Sequence, residues 1–210
     1  MDMILIAIIG VTALISYKGF SDYDFFRKYE LHIGRIRAGE QIRMITSGFL
    51  HLDFMHLLFN MITLYFFAPY VIRFIGDIYF LYVYFGSMIT GSLLTLYLHK
   101  DDYSYRAIGA SGAVMGVIYA SILLDVDQQM LFYGFIPGYI FGIGYLFYSI
   151  YGIKAKRDNI GHTAHFGGAI GGYLITLMRE PSLFETNTKI IVLLMVPIAI
   201  LFYMNKANKL

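Results

Sequence analysis

The sequence predicts an all-α polytopic membrane protein that forms a single domain over residues 1–210. Hydrophobic residues make up 58% of the 210 residues and charged residues only 14%, whereas a soluble domain carries about 25% charged residues. The mean hydropathy of +0.63 agrees with a chain that lies mostly in lipid. Seven stretches approach the roughly 20 apolar residues that a spanning helix needs: 1–19, 54–74, 78–98, 109–126, 134–153, 162–179 and 189–204.

The same composition excludes several classes of function. The chain has no cysteine, so disulfides, thiol catalysis and cysteine-ligated zinc are excluded. The net charge is only +2 and no basic cluster accompanies a recognition motif, so we expect no nucleic-acid partner. The first stretch carries Asp2 in place of a basic segment and has no small-residue cleavage site, which is typical of a retained helix rather than a signal peptide.

The connections and the glycines indicate how the helices are arranged. Residues 18–53 form a polar connection long enough to be a structured loop. Gly112 and Gly116 lie in the fourth stretch, and Gly168 lies in the G-G-A-I-G-G run of the sixth. Small residues four apart let helix backbones approach closely in lipid, so we expect these two helices to pack face to face. Each glycine motif taken alone is far more often explained by packing than by a functional role.

Polar side chains in three stretches are predicted to converge near one membrane surface. Ser111 and His165 each lie within about one turn of the start of the fourth and sixth stretches, and His56 and Asn60 share one face of the second. Alternate helices of a polytopic protein run in the same direction, so the beginnings of these three stretches lie at the same side of the membrane. Polar groups at membrane depth are costly, and their convergence therefore indicates function.

This set of side chains fits nucleophilic catalysis. A serine hydroxyl needs a base to take its proton, and His165 is the candidate base for Ser111. His56, Asn60 and the backbone N–H of Ser111 are candidate donors to an oxyanion. Apart from Asp125 at the far end of the fourth stretch, no Asp or Glu lies in these stretches, so we expect a Ser–His dyad rather than a triad.

Two other hydrolytic sites fit the sequence poorly. Ala113 follows Gly112, so the chain lacks the G-x-S-x-G elbow of soluble esterases. The histidines do not form H-E-x-x-H, so we expect no metal and no cofactor, with a histidine-only metal site left as an alternative.

Four blocks, taken together, resemble the rhomboid family of intramembrane serine proteases. They are G-E-Q-I-R-M-I-T-S-G-F-L-H (39–51), H-L-L-F-N (56–60), G-A-S-G-A (109–113) and A-H-F-G-G (164–168). The resemblance covers residues from about 39 to 180. It implies a six-helix core, with residues 189–204 as an added seventh helix.

The resemblance also implies roles for individual residues. Ser111 would be the nucleophile, His165 the general base, and His56 with Asn60 would hold the oxyanion. His51 would have a structural role where the first loop meets the second helix. The substrates would be transmembrane proteins in a lipid bilayer, cleaved in or near a transmembrane helix.

The chain departs from the family pattern at three points. Ile42 stands where the family usually has Trp, and Met115 stands where it often has an aromatic residue that stacks on the base. The family layout, with an exterior active site and an interior N-terminus, would put all but Arg73, Arg179 and Lys189 of the 16 Lys and Arg residues outside. The positive-inside rule favours the opposite orientation.

Three readings of function follow. The first is an intramembrane serine endopeptidase, and we expect it to be a multi-pass protein of the cell (plasma) membrane. The second is a catalytically silent rhomboid-like protein that binds membrane clients. The third is a small transporter, which the lack of ionisable residues in the middle of the third, fifth and seventh stretches disfavours. The sequence names neither the substrate nor the oligomeric state.

Overall fold

A computed structural model describes residues 2–125, 130–131, 136–155, 161–207 and 209. Within these residues the chain is almost entirely helical, which confirms the all-α prediction. The long helices are α1 (Met3–Ser21), α5 (Phe54–Leu98), α6 (Ser111–Leu124), α7 (Gly138–Ala155), α8 (His162–Arg179) and α10 (Thr188–Lys206). The short helices are α2 (Tyr23–Tyr29), α3 (Ile33–Arg37), α4 (Arg43–Thr46) and α9 (Leu183–Thr186), with a 3₁₀ turn at Ser47–Phe49. Two short antiparallel pairs join β1 (Leu31–His32) to β2 (Arg106–Ala107) and β3 (Met130–Leu131) to β4 (Ile136–Pro137).

The predicted stretches correspond to the long helices, with one difference. The second and third stretches are confirmed as two helices, the two parts of α5, which meet at a kink at Gly76, where φ is 82° and ψ is 167°. The fifth stretch was expected from residue 134, whereas α7 begins at Gly138, directly after a proline that lies in β4. Residues 126 and 134–135 of the predicted stretches lie outside the described residues.

Among the described residues, three elements are long and apolar enough on their own to cross a membrane: α1, the kinked α5 and α10. The shorter α6 has 14 residues, and α8 has a polar start with two histidines and several glycines. Both are packed into the bundle, since every residue from Gly112 to Leu123 is buried. Helix α6 is therefore the central helix of the bundle, surrounded by protein rather than by lipid.

Glycines bring α6 and α8 into backbone contact. A Cβ added at Gly168 would lie 1.9 Å from the carbonyl oxygen of Gly112, and one added at Gly172 would lie 2.1 Å from that of Gly116. A second glycine face of α8 packs against α5. A Cβ added at Gly167 would lie 2.4 Å from the carbonyl oxygen of Thr90. The sequence pattern had suggested only the first of these two contacts.

The first loop is a folded unit held by a buried arginine. Arg43 is 6% exposed and donates hydrogen bonds to the carbonyl oxygens of Arg27 and Glu30, both at 3.0 Å. Its guanidinium also pairs with Glu40 at 2.7 Å. The neighbouring Ile42 is 62% exposed, so the loop is anchored through Arg43 and not through residue 42.

Candidate active site

Ser111 is the first residue of α6, and the first loop places it there. Gly109 adopts φ +113°, a conformation that favours glycine, and its N–H donates to the carbonyl oxygen of Ser47 at 3.0 Å. The pairing of β1 with β2 holds the preceding residues against the same loop. The hydroxyl of Ser111 therefore lies at the positive end of α6, where backbone N–H groups have no acceptor within the helix.

Ser111 and His165 form a hydrogen bond. The distance between the Oγ of Ser111 and the Nε2 of His165 is 2.8 Å, which is typical of a strong contact. His165 is fully buried and lies in the first turn of α8. The glycine contacts between α6 and α8 bring the two side chains together, because Ser111 directly precedes Gly112 and His165 lies three residues before Gly168.

Two residues of α7 contact the imidazole of His165 from the other side. The Oγ of Ser149 lies 3.1 Å from Nδ1, and the ring of Tyr145 lies 5.0 Å from the imidazole, centroid to centroid. Tyr145 and Ser149 are four residues apart, so they share one face of α7. Sequence reasoning assigned neither residue to the site.

His56 and Asn60 line the same site from α5. The imidazole of His56 packs against Gly109, where an added Cβ would lie 2.9 Å from its Nε2. Its Nδ1 faces the N–H of Leu52 at 3.5 Å, so the proton of the neutral ring is assigned to Nε2. Asn60 uses its Nδ2 to donate to the carbonyl oxygen of His56 at 2.9 Å, which leaves its second N–H for another acceptor.

These side chains surround a cavity of about 490 Å³. Its walls are largely apolar with a small number of polar groups, as is common for binding sites. The cavity is lined by Leu52, Asp53, His56, Phe59, Asn60, Thr63, Ser111, Val114, Met115, Ile118, Phe141, Tyr145 and His165.

A family model described as the Rhomboid domain matches residues 38–181. The chain belongs to the rhomboid family. All four residues predicted for catalysis from the sequence lie inside the matched range, and each of them lines the cavity.

Relatives in the family come from plants and bacteria. The chain is 27% identical over 186 residues to RHOMBOID-like protein 12, mitochondrial, of Arabidopsis thaliana, a match that covers 80% of this chain and 55% of the relative. It is 32% identical to the Bacillus subtilis rhomboid-family protein YdcA, over 68% of this chain and 69% of the relative. It is 31% identical to the rhomboid protease GluP of Bacillus subtilis, over 66% of this chain and 26% of the relative. The chain thus spans about half of the Arabidopsis protein and a quarter of GluP.

His165, the candidate base, has an aromatic neighbour even though Met115 replaces the aromatic residue of the family pattern. Met115 is buried and lines the cavity, while the aromatic contact to His165 comes from Tyr145 on a different helix. The position four residues after the serine was therefore the wrong place to look for this contact. The spacing of Tyr145 and Ser149, four residues apart in α7, was the only sequence signal for their contact with His165. That signal is weak because both residue types are common in apolar helices.

His51 ties the first loop to the start of α6. The N–H of Ala110 donates to its Nε2 at 3.3 Å, so Nδ1 carries the proton and donates to the Oγ of Ser16 at 2.8 Å. The Ser16 hydroxyl in turn donates to the carbonyl oxygen of Phe49 at 2.8 Å. This chain of hydrogen bonds requires a neutral His51, since a protonated ring has no acceptor for Ala110.

We expect His51 to make the fold sensitive to acid. Burial, together with the nearby His56, lowers the pKa of His51 from its ordinary 6.5 to about 3. The unfolded chain therefore takes up a proton below about pH 6.5 while the folded chain does not, so stability falls as the pH drops. At about pH 5 this cost is about 2 kcal/mol.

Thermal unfolding in detergent measures this effect. Between about pH 7.5 and about pH 5, the Tm of the wild type should fall more than that of His51→Gln, whose amide does not titrate. Other histidines titrate in both proteins, so the difference between the two slopes reports His51. Equal slopes would contradict the assigned role.

Proposed function

We propose that this protein is an intramembrane serine endopeptidase that cleaves membrane-anchored proteins in or near a transmembrane helix. The observation that carries the proposal is the 2.8 Å contact between Ser111 and His165, both of which line the cavity. Membership of the rhomboid family supports it, since members of that family are generally intramembrane serine proteases.

The reaction would proceed by acyl transfer. The Oγ of Ser111 attacks the carbonyl carbon of the substrate while its proton passes to the Nε2 of His165. The protonated His165 then gives that proton to the nitrogen of the leaving peptide as the C–N bond breaks. Water, activated by the same nitrogen, releases the acyl group from Ser111 and restores the starting state.

The oxyanion would be held by donors that surround the Ser111 hydroxyl. The free N–H groups at the start of α6 carry the positive end of the helix dipole. The Nε2–H of His56 and the second N–H of Asn60 supply two more donors in the same cavity. Each of them stabilises the charge that forms only during reaction.

Removal of the Asn60 donor should slow catalysis without abolishing it. We expect Asn60→Ala to lower kcat by about 10² to 10³, the usual effect of losing one oxyanion donor. Thr63→Ala is a matched control, since Thr63 lines the same cavity one turn further along α5 and bonds only its own helix backbone at Phe59. Equal kcat values for Asn60→Ala and Thr63→Ala would exclude Asn60 from the oxyanion site.

The length of α6 supports hydrolysis at membrane depth. A helix of 14 residues is about 21 Å long, whereas the hydrocarbon core of a bilayer is about 30 Å thick. If the last residue of α6 lies at one surface, Ser111 lies roughly 9 Å inside the other. Water would reach it through the cavity. A substrate helix would have to unwind locally, because its peptide bonds are otherwise held in backbone hydrogen bonds.

The names of the relatives do not place this protein in the plasma membrane. The relatives from Arabidopsis thaliana, Saccharomyces cerevisiae and Bos taurus are mitochondrial by name, and two others are bacterial. The integral-membrane location stands, whereas the predicted plasma-membrane location has no support from these relatives.

The orientation of the chain gives a direct prediction. The chain has no cysteine, so single cysteines at the exposed Asp101 and Glu185 can be labelled without background. With the family layout, a membrane-impermeant maleimide added to intact bacterial cells that express the protein should label Asp101→Cys and not Glu185→Cys. The opposite pattern would show that the positive-inside rule decides the orientation.

Cleavage of a transmembrane substrate in liposomes tests the proposed function. Wild-type protein should cleave the substrate, and Ser111→Ala protein should not. If the folded wild type leaves the substrate intact but still retains it in a pull-down, the protein is a catalytically silent binder of membrane clients.

A further inference from the structure

We propose that Ser149 is a positioning residue for the base, holding His165 through Nδ1 in the tautomer that accepts the Ser111 proton. The inference rests on the proposed function and adds a third side chain to the expected dyad. Ser149 does not line the cavity, so it acts on the substrate only through His165.

The tautomer follows from the two hydrogen bonds of the imidazole. When the Ser111 hydroxyl donates to Nε2, a neutral ring carries its proton on Nδ1. The Oγ of Ser149 lies 3.1 Å from that nitrogen and is able to accept, because a hydroxyl is both donor and acceptor. Ser149 and His165 are both 0% exposed, so water cannot readily take its place.

Without an acceptor at Nδ1, no hydrogen bond selects which of its two neutral tautomers His165 adopts. The two neutral tautomers differ little in energy in a symmetric environment, and in one of them the Nε2–H faces the Ser111 hydroxyl and cannot accept its proton. The wrong tautomer is known to be strongly inhibitory where a triad depends on the third residue. Ser149 removes this ambiguity by favouring the Nδ1–H form.

A hydroxyl suits this position better than a carboxylate would. A buried carboxylate is costly at membrane depth, and the position of Ser149 in α7 is fully buried. A serine hydroxyl orients the imidazole ring of His165. Its oxygen also stabilises the positive charge that develops on the ring, without introducing a buried charge. The cost of this choice is weaker stabilisation of the protonated base than in a carboxylate triad.

Helix α7 both contacts His165 and forms part of the wall of the cavity. Tyr145 contacts both the cavity and the His165 ring, and Ser149 lies one turn further along α7. A displacement of α7 by about 1 Å would lengthen the Ser149–His165 contact beyond the range of a hydrogen bond. The activity of the base therefore depends on how α7 is seated against α8.

The test compares Ser149→Ala with Ser149→Thr, which keeps a hydroxyl. The matched control is Ser87→Ala, since Ser87 is also a fully buried serine of a spanning helix, and its Oγ has no hydrogen-bond partner among the described residues. We expect Ser149→Ala to lower kcat about tenfold with KM unchanged, as the loss of one hydrogen bond to the base predicts. Ser149→Thr should restore part of kcat, and Ser87→Ala should leave it at the wild-type value.

A spectroscopic measurement separates positioning from a general structural effect. In ¹⁵N-histidine-labelled protein, NMR of His165 should show the Nδ1–H tautomer in the wild type and in Ser87→Ala, and a mixture of tautomers in Ser149→Ala. If the wild type cleaves substrate but Ser149→Ala matches it in kcat and tautomer, the inference is wrong and the proposed function stands. If the wild type is inert, the proposed function fails, and an unchanged tautomer in Ser149→Ala overturns the positioning role as well.

Discussion

Replacement of Ser111 with alanine should lower the rate of cleavage of a transmembrane substrate by about 10⁴-fold or more. The hydroxyl is the atom that would bond to the substrate carbonyl, and no other serine lines the cavity within the described residues. His165→Ala should cause a loss of similar size, because the hydroxyl is a poor nucleophile without its base. Initial rates of cleavage in liposomes, with equal amounts of folded protein, measure both effects.

The double variant sharpens this prediction. Residues that act as one unit have strongly non-additive effects, so Ser111→Ala/His165→Ala should be no slower than either single variant. Ser87→Ala, which alters a buried serine away from the cavity, should cleave at the wild-type rate. Losses that multiply in the double variant would indicate two independent roles and would contradict a Ser–His dyad.

Replacement of Gly168 with alanine should destabilise the helix bundle by about 3 kcal/mol or more. The new Cβ would lie 1.9 Å from the carbonyl oxygen and 2.6 Å from the carbonyl carbon of Gly112. These are backbone atoms of a central helix, so no side-chain rotation relieves the contact, and α6 and α8 must separate. Because Ser111 and His165 lie on these two helices, the separation should also abolish cleavage.

Gly10→Ala is the matched control for this variant. Gly10 also lies in a long apolar helix, and a Cβ added there meets nothing within 4 Å. Alanine is the better helix former by about 0.5–1 kcal/mol, so Gly10→Ala should be as stable as the wild type or slightly more stable. Unfolding in mixed detergent micelles gives the free energy for each protein. Equal stability of Gly168→Ala and the wild type would contradict the close approach of α6 and α8.

The convergence of the polar residues could be predicted from the sequence because helix direction alternates in a membrane. His56, Ser111 and His165 each lie near the start of a helix, and the three helices run in the same direction. Their meeting at one level follows from topology alone, and the structure brings all three to one cavity. The family could also be predicted from the sequence. Its motifs occur in the family's order along the chain, within the residues that the family model matches.

The contribution of α7 to the site could not be predicted in this way. Ser149 is a small polar residue in an apolar helix, and such a serine usually bonds its own backbone. Only the three-dimensional arrangement shows that its hydroxyl faces the Nδ1 of His165. The usual orienting groups, Asp and Glu, are absent from the helix starts that carry Ser111 and His165, and the sequence therefore predicted a dyad.

The second glycine face of α8 was missed for a related reason. Gly167 and Gly168 are adjacent, so they point about 100° apart around the helix and serve two different neighbours. The pattern alone does not say which neighbour each glycine meets. The structure assigns Gly168 to α6 and Gly167 to α5, which places α8 between the other two core helices.

Labelling with a fluorophosphonate tests the central claim most directly, because this probe reacts with an activated serine and needs no knowledge of the substrate. Reconstituted wild-type protein should be labelled, and peptide mapping should place the adduct on Ser111. Ser111→Ala and His165→Ala, shown to be folded by their thermal unfolding, should remain unlabelled. A folded wild type that takes up no probe, or an adduct that persists in Ser111→Ala, would contradict a nucleophilic Ser111 activated by His165.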